Sequence, residues 1–367
     1  MSQTIRFNAS HRPDFFVVAN SPTPRPAPGE VVVEVVAAAL SLRDLVLRRD
    51  LLARRDAGSD GALGASGATE AAETETVAIG SDLAGIVREV GEGVRWLRPG
   101  DEVLGWVERG AMATDVAVPE TQLLRRPPSV AWEIAGSLYV SGTTAWNAIG
   151  AMQLGRDDTV VITNAAGAVG CLAAQLAKMR GATVVGTCLE HQFDFVRQFG
   201  VIPVTIGPGL ADRIRALGHR VTAVFDVLGG HSALGTELGV SPSRTLTVLD
   251  HDAVQEHRAT LVEPGDATAF ARVVQLIARH QLRLPVADIF RFDQVPEAIS
   301  ALERRDASGK IVIGLRPVSR MSERIPTANI KEQDATLAIL TPHPHVDVTE
   351  AIPPVLGDAH IRRQQAG

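Results

Sequence analysis

The chain predicts an α/β protein in which a doubly wound parallel sheet is joined to a β-rich partial barrel. Three observations carry that reading. Residues 159–163 form a short apolar run, Thr-Val-Val-Ile-Thr, that passes through small residues into an apolar helical pattern at 171–180. A second run at 182–187 follows that helix and completes a strand-helix-strand unit. Upstream, runs at 30–40 and 84–90 are separated by turn-forming stretches such as Gly91-Glu92-Gly93 and Arg98-Pro99-Gly100-Asp101, the pattern of short strands.

Taken in order, residues 30–40 and 84–90 are strands of the barrel. Between them lie residues 57–76, almost entirely Ala, Gly, Ser, Thr, Asp and Glu, too polar to offset the entropy of ordering and expected to form a mobile loop. From about Pro127 the pattern alternates between helix and strand, with strands expected at 159–163, 182–187, 222–226 and 244–249. The turn from Ala165 to Gly170 is the point at which a dinucleotide diphosphate sits in a Rossmann unit. Gly167 lets the backbone approach a phosphate, Gly170 lets the helix lie against the strand, and the helix start offers the N–H groups of Ala168 and Val169. Ala165 replaces the first glycine of the usual G-x-G-x-x-G. An acid normally ends the second strand and holds the ribose 2′-hydroxyl; here Thr187 is followed by Cys188, which favours NADP over NAD. Beyond Asp266, helices at 268–279 and 292–304 and a strand at 310–315 close the folded part. Pro317 precedes, and five further prolines (Pro326, Pro342, Pro344, Pro353, Pro354) interrupt, residues 318–367, read as an extension packed over the surface or partly disordered.

Composition narrows the function. Of 367 residues 45% are hydrophobic and 21% charged, ordinary values for a two-domain enzyme. A net charge of −6 with scattered arginine pairs leaves no basic field for nucleic acid or anionic lipid. No apolar run reaches the length of a membrane span and the N-terminus lacks a signal-peptide core, so a cytoplasmic location is expected. Cys171 and Cys188 are the only cysteines, too few for a disulfide framework or a multi-cysteine zinc lobe.

Eight segments, in order, resemble the zinc-independent quinone oxidoreductase and enoyl reductase type of the medium-chain dehydrogenase/reductase superfamily. They are Gly29-Glu30-Val31-Val32-Val33-Glu34-Val35, Leu40-Ser41-Leu42-Arg43-Asp44, Gly80-Ser81-Asp82-Leu83-Ala84-Gly85-Ile86-Val87, Arg98-Pro99-Gly100-Asp101-Glu102-Val103, Gly142-Thr143-Thr144-Ala145-Trp146, the turn from Ala165 to Gly170, Val224-Phe225-Asp226-Val227-Leu228-Gly229-Gly230, and Ser308-Gly309-Lys310-Ile311-Val312. The resemblance implies a GroES-like domain from 1–124 and 266–317 around a Rossmann domain at 125–265, with cofactor and substrate in the cleft between them. It also implies a homodimer, as in many relatives.

In the zinc-dependent branch a Cys, a His and a second Cys hold the metal; those places are Ser41, Ser81 and Val140 here, a set that does not suit zinc. With no Lewis acid, the implied substrate is a small molecule that takes hydride at carbon, a quinone or an α,β-unsaturated carbonyl, with NADPH as donor. By the same resemblance Ser41 and Asp44 line the cleft, Thr144 contacts the nicotinamide, and Leu228 and Lys310 lie in segments that border the cofactor. Tyr139, the only tyrosine, is the candidate proton donor. The pattern departs from NADPH-using relatives at Phe193 and Gly207, where they carry a lysine and a tyrosine near the 2′-phosphate; His191, Arg197 and Arg244 are the cations available to replace them. That departure supports an alternative, a non-redox enzyme or scaffold of the same fold in a biosynthetic pathway.

Overall fold

A computed structural model describes residues 1–8, 16–60, 76–248 and 250–316. Its first half is antiparallel: β1 (Ser2–Asn8), β2 (Phe16–Ser21), β3 (Glu30–Leu40), β4 (Thr76–Ala78), β5 (Asp82–Val90), β6 (Glu102–Trp106), β7 (Asp115–Pro119) and β8 (Leu123–Arg125). β9 (Thr159–Ile162), β10 (Thr183–Cys188), β11 (Ile202–Thr205), β12 (Ala223–Asp226), β13 (Thr245–Thr247) and β14 (Thr260–Leu261) follow, and β15 (Val286–Arg291) and β16 (Lys310–Gly314) return to the first half.

β3 organises the β-rich body. Its sequence, Glu-Val-Val-Val-Glu-Val-Val-Ala-Ala-Ala-Leu, is buried almost throughout, as expected of a strand covered on both faces. Along one edge its first half pairs with β7 and its second half with β16, while β5 takes the other edge. The order is β15-β16-β3-β5-β6-β8, so the last strand among the described residues lies between β15 and β3. A small sheet, β2-β1-β4, closes over this body.

The second body is a six-stranded parallel sheet in the order β11-β10-β9-β12-β13-β14. That is the Rossmann order, in which the chain reverses direction across the sheet between β9 and β12 and leaves a crevice at their carboxyl ends. Helix Ala168–Met179 crosses from β9 to β10, and helices Tyr139–Met152 and Ala267–Ala278 pack together beside it.

Several expected boundaries move. The helix after β9 starts at Ala168 rather than 171, because the second half of the glycine turn is itself helical, with Gly167 as N-cap. The helix expected at 268 begins at Ala267, because Asp266 accepts from Thr268 N and Ala269 N, both at 2.9 Å. β13 stops at Thr247. Of the small-residue loop expected at 57–76, residues 57–60 finish the helix Leu42–Asp60 and Thr76 opens β4. Residues 61–75 and the expected extension 318–367 lie outside the described residues. Among the described residues no helix is long and apolar enough to cross a membrane.

Candidate cofactor and active site

The crevice begins at the turn after β9. Asn164 takes a left-handed backbone, φ 51°, so that its N–H reaches Thr187 Oγ1 (3.1 Å) while Ala165 N–H reaches Thr187 O (2.9 Å). β10 thereby holds the turn in place. The helix that follows leaves the first-turn N–H groups of Ala168, Val169 and Gly170 without intrahelical acceptors, a concentration of positive potential suited to a phosphate. Gly170 is required sterically: a Cβ there would stand 2.2 Å from Asn164 O. Ala165, where a glycine is usual, keeps its methyl because β10 offers Gly186 opposite; a Cβ on Gly186 would stand 2.5 Å from that methyl. The geometry of this cradle therefore fits a dinucleotide diphosphate, with Gly167, Ala168 and Val169 all on the cleft wall.

A lock unrecognised in the sequence fixes the two strands at the reversal point. Thr163 Oγ1 donates to Asp226 Oδ1 (2.9 Å) and accepts from Val227 N (2.8 Å), and Asp226 Oδ2 accepts from His231 N (2.7 Å). Thr163 and Asp226 are both fully buried. The signal was present, a hydroxyl and an acid each ending an apolar run, but their partnership is visible only once β9 and β12 are known to be neighbours.

The opposite wall comes from the β-rich body. Ser41, at the end of β3, faces the cleft, and its hydroxyl donates to Asp44 Oδ2 at 2.9 Å. Asp44 also accepts from Ser41 N (2.8 Å) and from Gly80 N (2.9 Å), and burial raises its carboxyl above the usual carboxylate range. It supports the cleft and does not line it. Lys310 does line the cleft, yet its ammonium is buried against Asp82 Oδ2 (3.1 Å) and Ser141 Oγ (3.3 Å), while Asp82 Oδ1 accepts from Val140 N (2.7 Å). One carboxylate thus joins β5, β16 and the helix Tyr139–Met152. Lys310, expected beside the cofactor, is instead committed at its ammonium to an ion pair that no local sequence pattern signals.

The remaining candidates divide. Thr144 lies on the cleft wall, almost completely buried. Tyr139 does not: its ring stacks on Trp106 (4.3 Å, 4°), Phe270 meets it edge-on, and its hydroxyl donates to Gly265 O at 2.9 Å. Burial pushes that phenol up to about 12, and the group acts as a packed anchor instead of a proton donor aimed into the cleft. Thr187 is wholly buried behind the turn, and Cys188 is buried too, its thiol pushed up to about 11 by desolvation. Leu228 N–H points back at Thr163 Oγ1 and Asp226, leaving Val227 and Val248 on the wall. Arg244 pairs with Asp158 (3.0 Å) and bonds Met152 O, at the amino ends of the strands and away from the crevice.

Zinc does not fit the positions that relatives would use for it. Ser41 Oγ is engaged by Asp44, Ser81 Oγ donates to Glu108 O (3.0 Å), and Val140 offers an alkyl group. Among the described residues no three His, Cys, Asp or Glu side chains gather as a metal site.

Two bodies, one carrying a Rossmann crevice and both contributing walls to a single cleft, define the class of nucleotide-dependent two-domain oxidoreductases. Residues 27–128 match the alcohol dehydrogenase GroES-like domain and residues 190–313 the zinc-binding dehydrogenase domain. The chain is 26% identical over 330 residues to the mitochondrial NAD(P)H oxidoreductase RTN4IP1 of Danio rerio, covering 78% of this chain and 84% of that one. The solved quinone oxidoreductase of Coxiella burnetii superposes with a TM-score of 0.72 at 23% identity, over 86% of this chain and 99% of its own. Escherichia coli quinone oxidoreductase complexed with NADPH shares the fold at a TM-score of 0.69 and 19% identity, over 85% of this chain and 100% of its own. The chain belongs to the medium-chain dehydrogenase/reductase superfamily and is an oxidoreductase.

Proposed function

We propose that this oxidoreductase uses NADPH to reduce quinones or α,β-unsaturated carbonyls without zinc. The observation that carries the reading is the pairing of a diphosphate cradle at Gly167 and Gly170 with a cleft whose zinc-ligand positions hold two engaged hydroxyls and a valine. When bound, the nicotinamide supplies the hydride. The protein's part is to hold and exclude. The free N–H groups of Ala168, Val169 and Gly170 bind the diphosphate, Thr144 and Ser41 bracket the reacting face, and Leu40, Val140, Val227 and Ile311 keep water from it. Ser41 faces the cleft with its hydroxyl hydrogen-bonded to the buried Asp44, so the proton that completes the reduction passes from the Asp44 carboxyl to Ser41 Oγ as the Ser41 hydroxyl proton moves to the reduced substrate. A substrate already conjugated to its oxygen suits such a site, because it spreads the charge that a metal otherwise neutralises.

A cytoplasmic homodimer, divided into a GroES-like unit (1–124 with 266–317) around a Rossmann unit (125–265), belongs to the same proposal. The test is titration with NADPH and NADH by nicotinamide fluorescence, then NADPH oxidation with a panel of quinones and enones, alongside zinc content by mass spectrometry. Saturable NADPH binding, turnover of at least one conjugated acceptor and substoichiometric zinc are expected. Failure to bind either nucleotide would transfer the site to the non-redox reading; stoichiometric zinc that activity requires would refute the metal-free one.

A further inference from the structure

We propose that Arg43 recognises a carboxylate carried by the substrate, so that acidic conjugated carbonyls are reduced in preference to neutral ones, an inference that rests on the reductase reading above. Arg43 lies in the first turn of helix Leu42–Asp60, two residues past Ser41, and lines the cleft together with Ser41 and Thr144. Those two hydroxyls bracket the reacting face, so the guanidinium belongs to the acceptor's end of the cleft. Its charge is felt at the Tyr139 hydroxyl, which donates to Gly265 O at 2.9 Å, and the residues just before Gly265, Glu263 and Pro264, line the cleft as well.

The guanidinium is uncompensated. Arg43 is exposed, and among the described residues it makes no hydrogen bond and no ion pair. The acids around it are committed elsewhere. Asp44, next in the chain, accepts from Ser41 and from Gly80 N, and burial raises it toward its neutral form. Asp82 holds Lys310 and Val140 N, and Asp266 caps helix Ala267–Ala278 through Thr268 N and Ala269 N. The other cations on the cleft wall stand differently: Lys310 is neutralised by Asp82, and Arg305 belongs to the segment that Gly309 joins to the diphosphate turn.

The place argues against a role in stability. A cation in the first turn of a helix opposes the macrodipole, whose positive end favours acids there, and Arg43 gains no partner in exchange. Arg48, one turn further along the same helix, does pair, with Glu303 at 3.2 Å. Leu40, Leu42 and Val140 give this part of the cleft an apolar lining, in which a hydrogen-bonded ion pair is stronger than in water. A guanidinium suits a carboxylate because it presents paired donors to two oxygens. Held by that end, the substrate turns its conjugated carbonyl toward Ser41. Glu263 is the competing group: it too lines the cleft without an ion pair among the described residues, and it would take Arg43 for itself if the walls closed.

Steady-state kinetics of the full chain with NADPH decide the matter, on alkyl enones that end in a carboxylate over spacers of increasing length and on their methyl esters, using R43Q, R43K and E263Q. For at least one spacer the wild-type kcat/KM should favour the acid over its ester at least about tenfold, as expected for a charge-assisted hydrogen bond. R43Q should bring that ratio to about one, with the loss in KM, because the contact holds ground state and transition state alike. R43K should recover part of the preference, and E263Q should keep or raise it. The Tm of R43Q and its affinity for NADPH by nicotinamide fluorescence should match the wild type, which separates lost recognition from lost folding. A wild-type ratio near one, or a preference that R43Q leaves intact, overturns the assignment while the reductase reading stands. Parallel losses on acid and ester in both R43Q and E263Q do the same, since the two side chains would then bind each other. Weakened NADPH in R43Q overturns it in favour of a nucleotide contact, and a wild type that reduces neither enones nor quinones overturns the parent reading as well.

Discussion

Asp44 illustrates how one side chain sets a local geometry from behind the cleft wall. Three donors converge on its two carboxyl oxygens, two from Ser41 and one from the Gly80 amide, in a spot closed to water. Burial is the larger influence and raises its pKa from the ordinary value of 3.8. Folded Asp44 then binds its proton more tightly than the unfolded chain does, so its contribution to stability is complete below 3.8 and drains away as pH rises through the raised folded value. The Tm difference, wild type minus D44N, should therefore shrink as pH is raised from about 4 in thermal unfolding. A difference that grows over that interval would mean the carboxylate is favoured in its ionised form. At this scale the sequence was informative about residue type and poor about role. Ser41 and Thr144 reached the cleft wall, whereas Tyr139 turned to a carbonyl 126 positions away, which no local pattern encodes.

Between elements, the tie that matters most is Lys310 with Asp82. Both side chains are almost fully buried, and Ser141 and the Val140 amide complete the set. Removing one member leaves a charge in a dry site, so K310M should cost about 3–5 kcal/mol in urea unfolding. The double variant K310M/D82N carries no charge there, and its asparagine carbonyl still accepts from Val140 N–H. It should recover at least half of that loss; strictly additive losses would show that the two side chains act independently. The pair was illegible beforehand because its members stand 228 positions apart, each the first residue of a largely apolar strand. Strand existence followed the same logic. β9, β10 and β12 are unbroken apolar runs and were read directly, while β11 contains Pro203 and β14 is two residues long. Both lie at the margins of the sheet, where weak strands are tolerated.

For the molecule as a whole, the cleft exists only because β15 and β16 carry the chain back to the first sheet after the Rossmann body is built. Its walls therefore depend on how the two bodies sit together. A ligand gripping Gly167–Gly170 on one wall and the 305–310 segment on the other should stabilise the assembly beyond either part. At 100 times its dissociation constant NADPH should add about 2.7 kcal/mol, seen as a single upward-shifted thermal transition. Two transitions, only the later one shifted by ligand, would indicate that the bodies unfold independently. The division into a parallel and an antiparallel part was legible from hydrophobic period and turn residues; the cleft was not, because it depends on register between segments far apart in the chain.

The contact between Ala165 and Gly186 has a broader bearing. The room that a nucleotide turn needs is a volume shared by two adjacent strands, and here the missing methyl has been shifted sideways from one to the other. Crevices of this kind will be undercounted by any reading that looks for contiguous letters, and found by one that weighs side-chain size across paired positions.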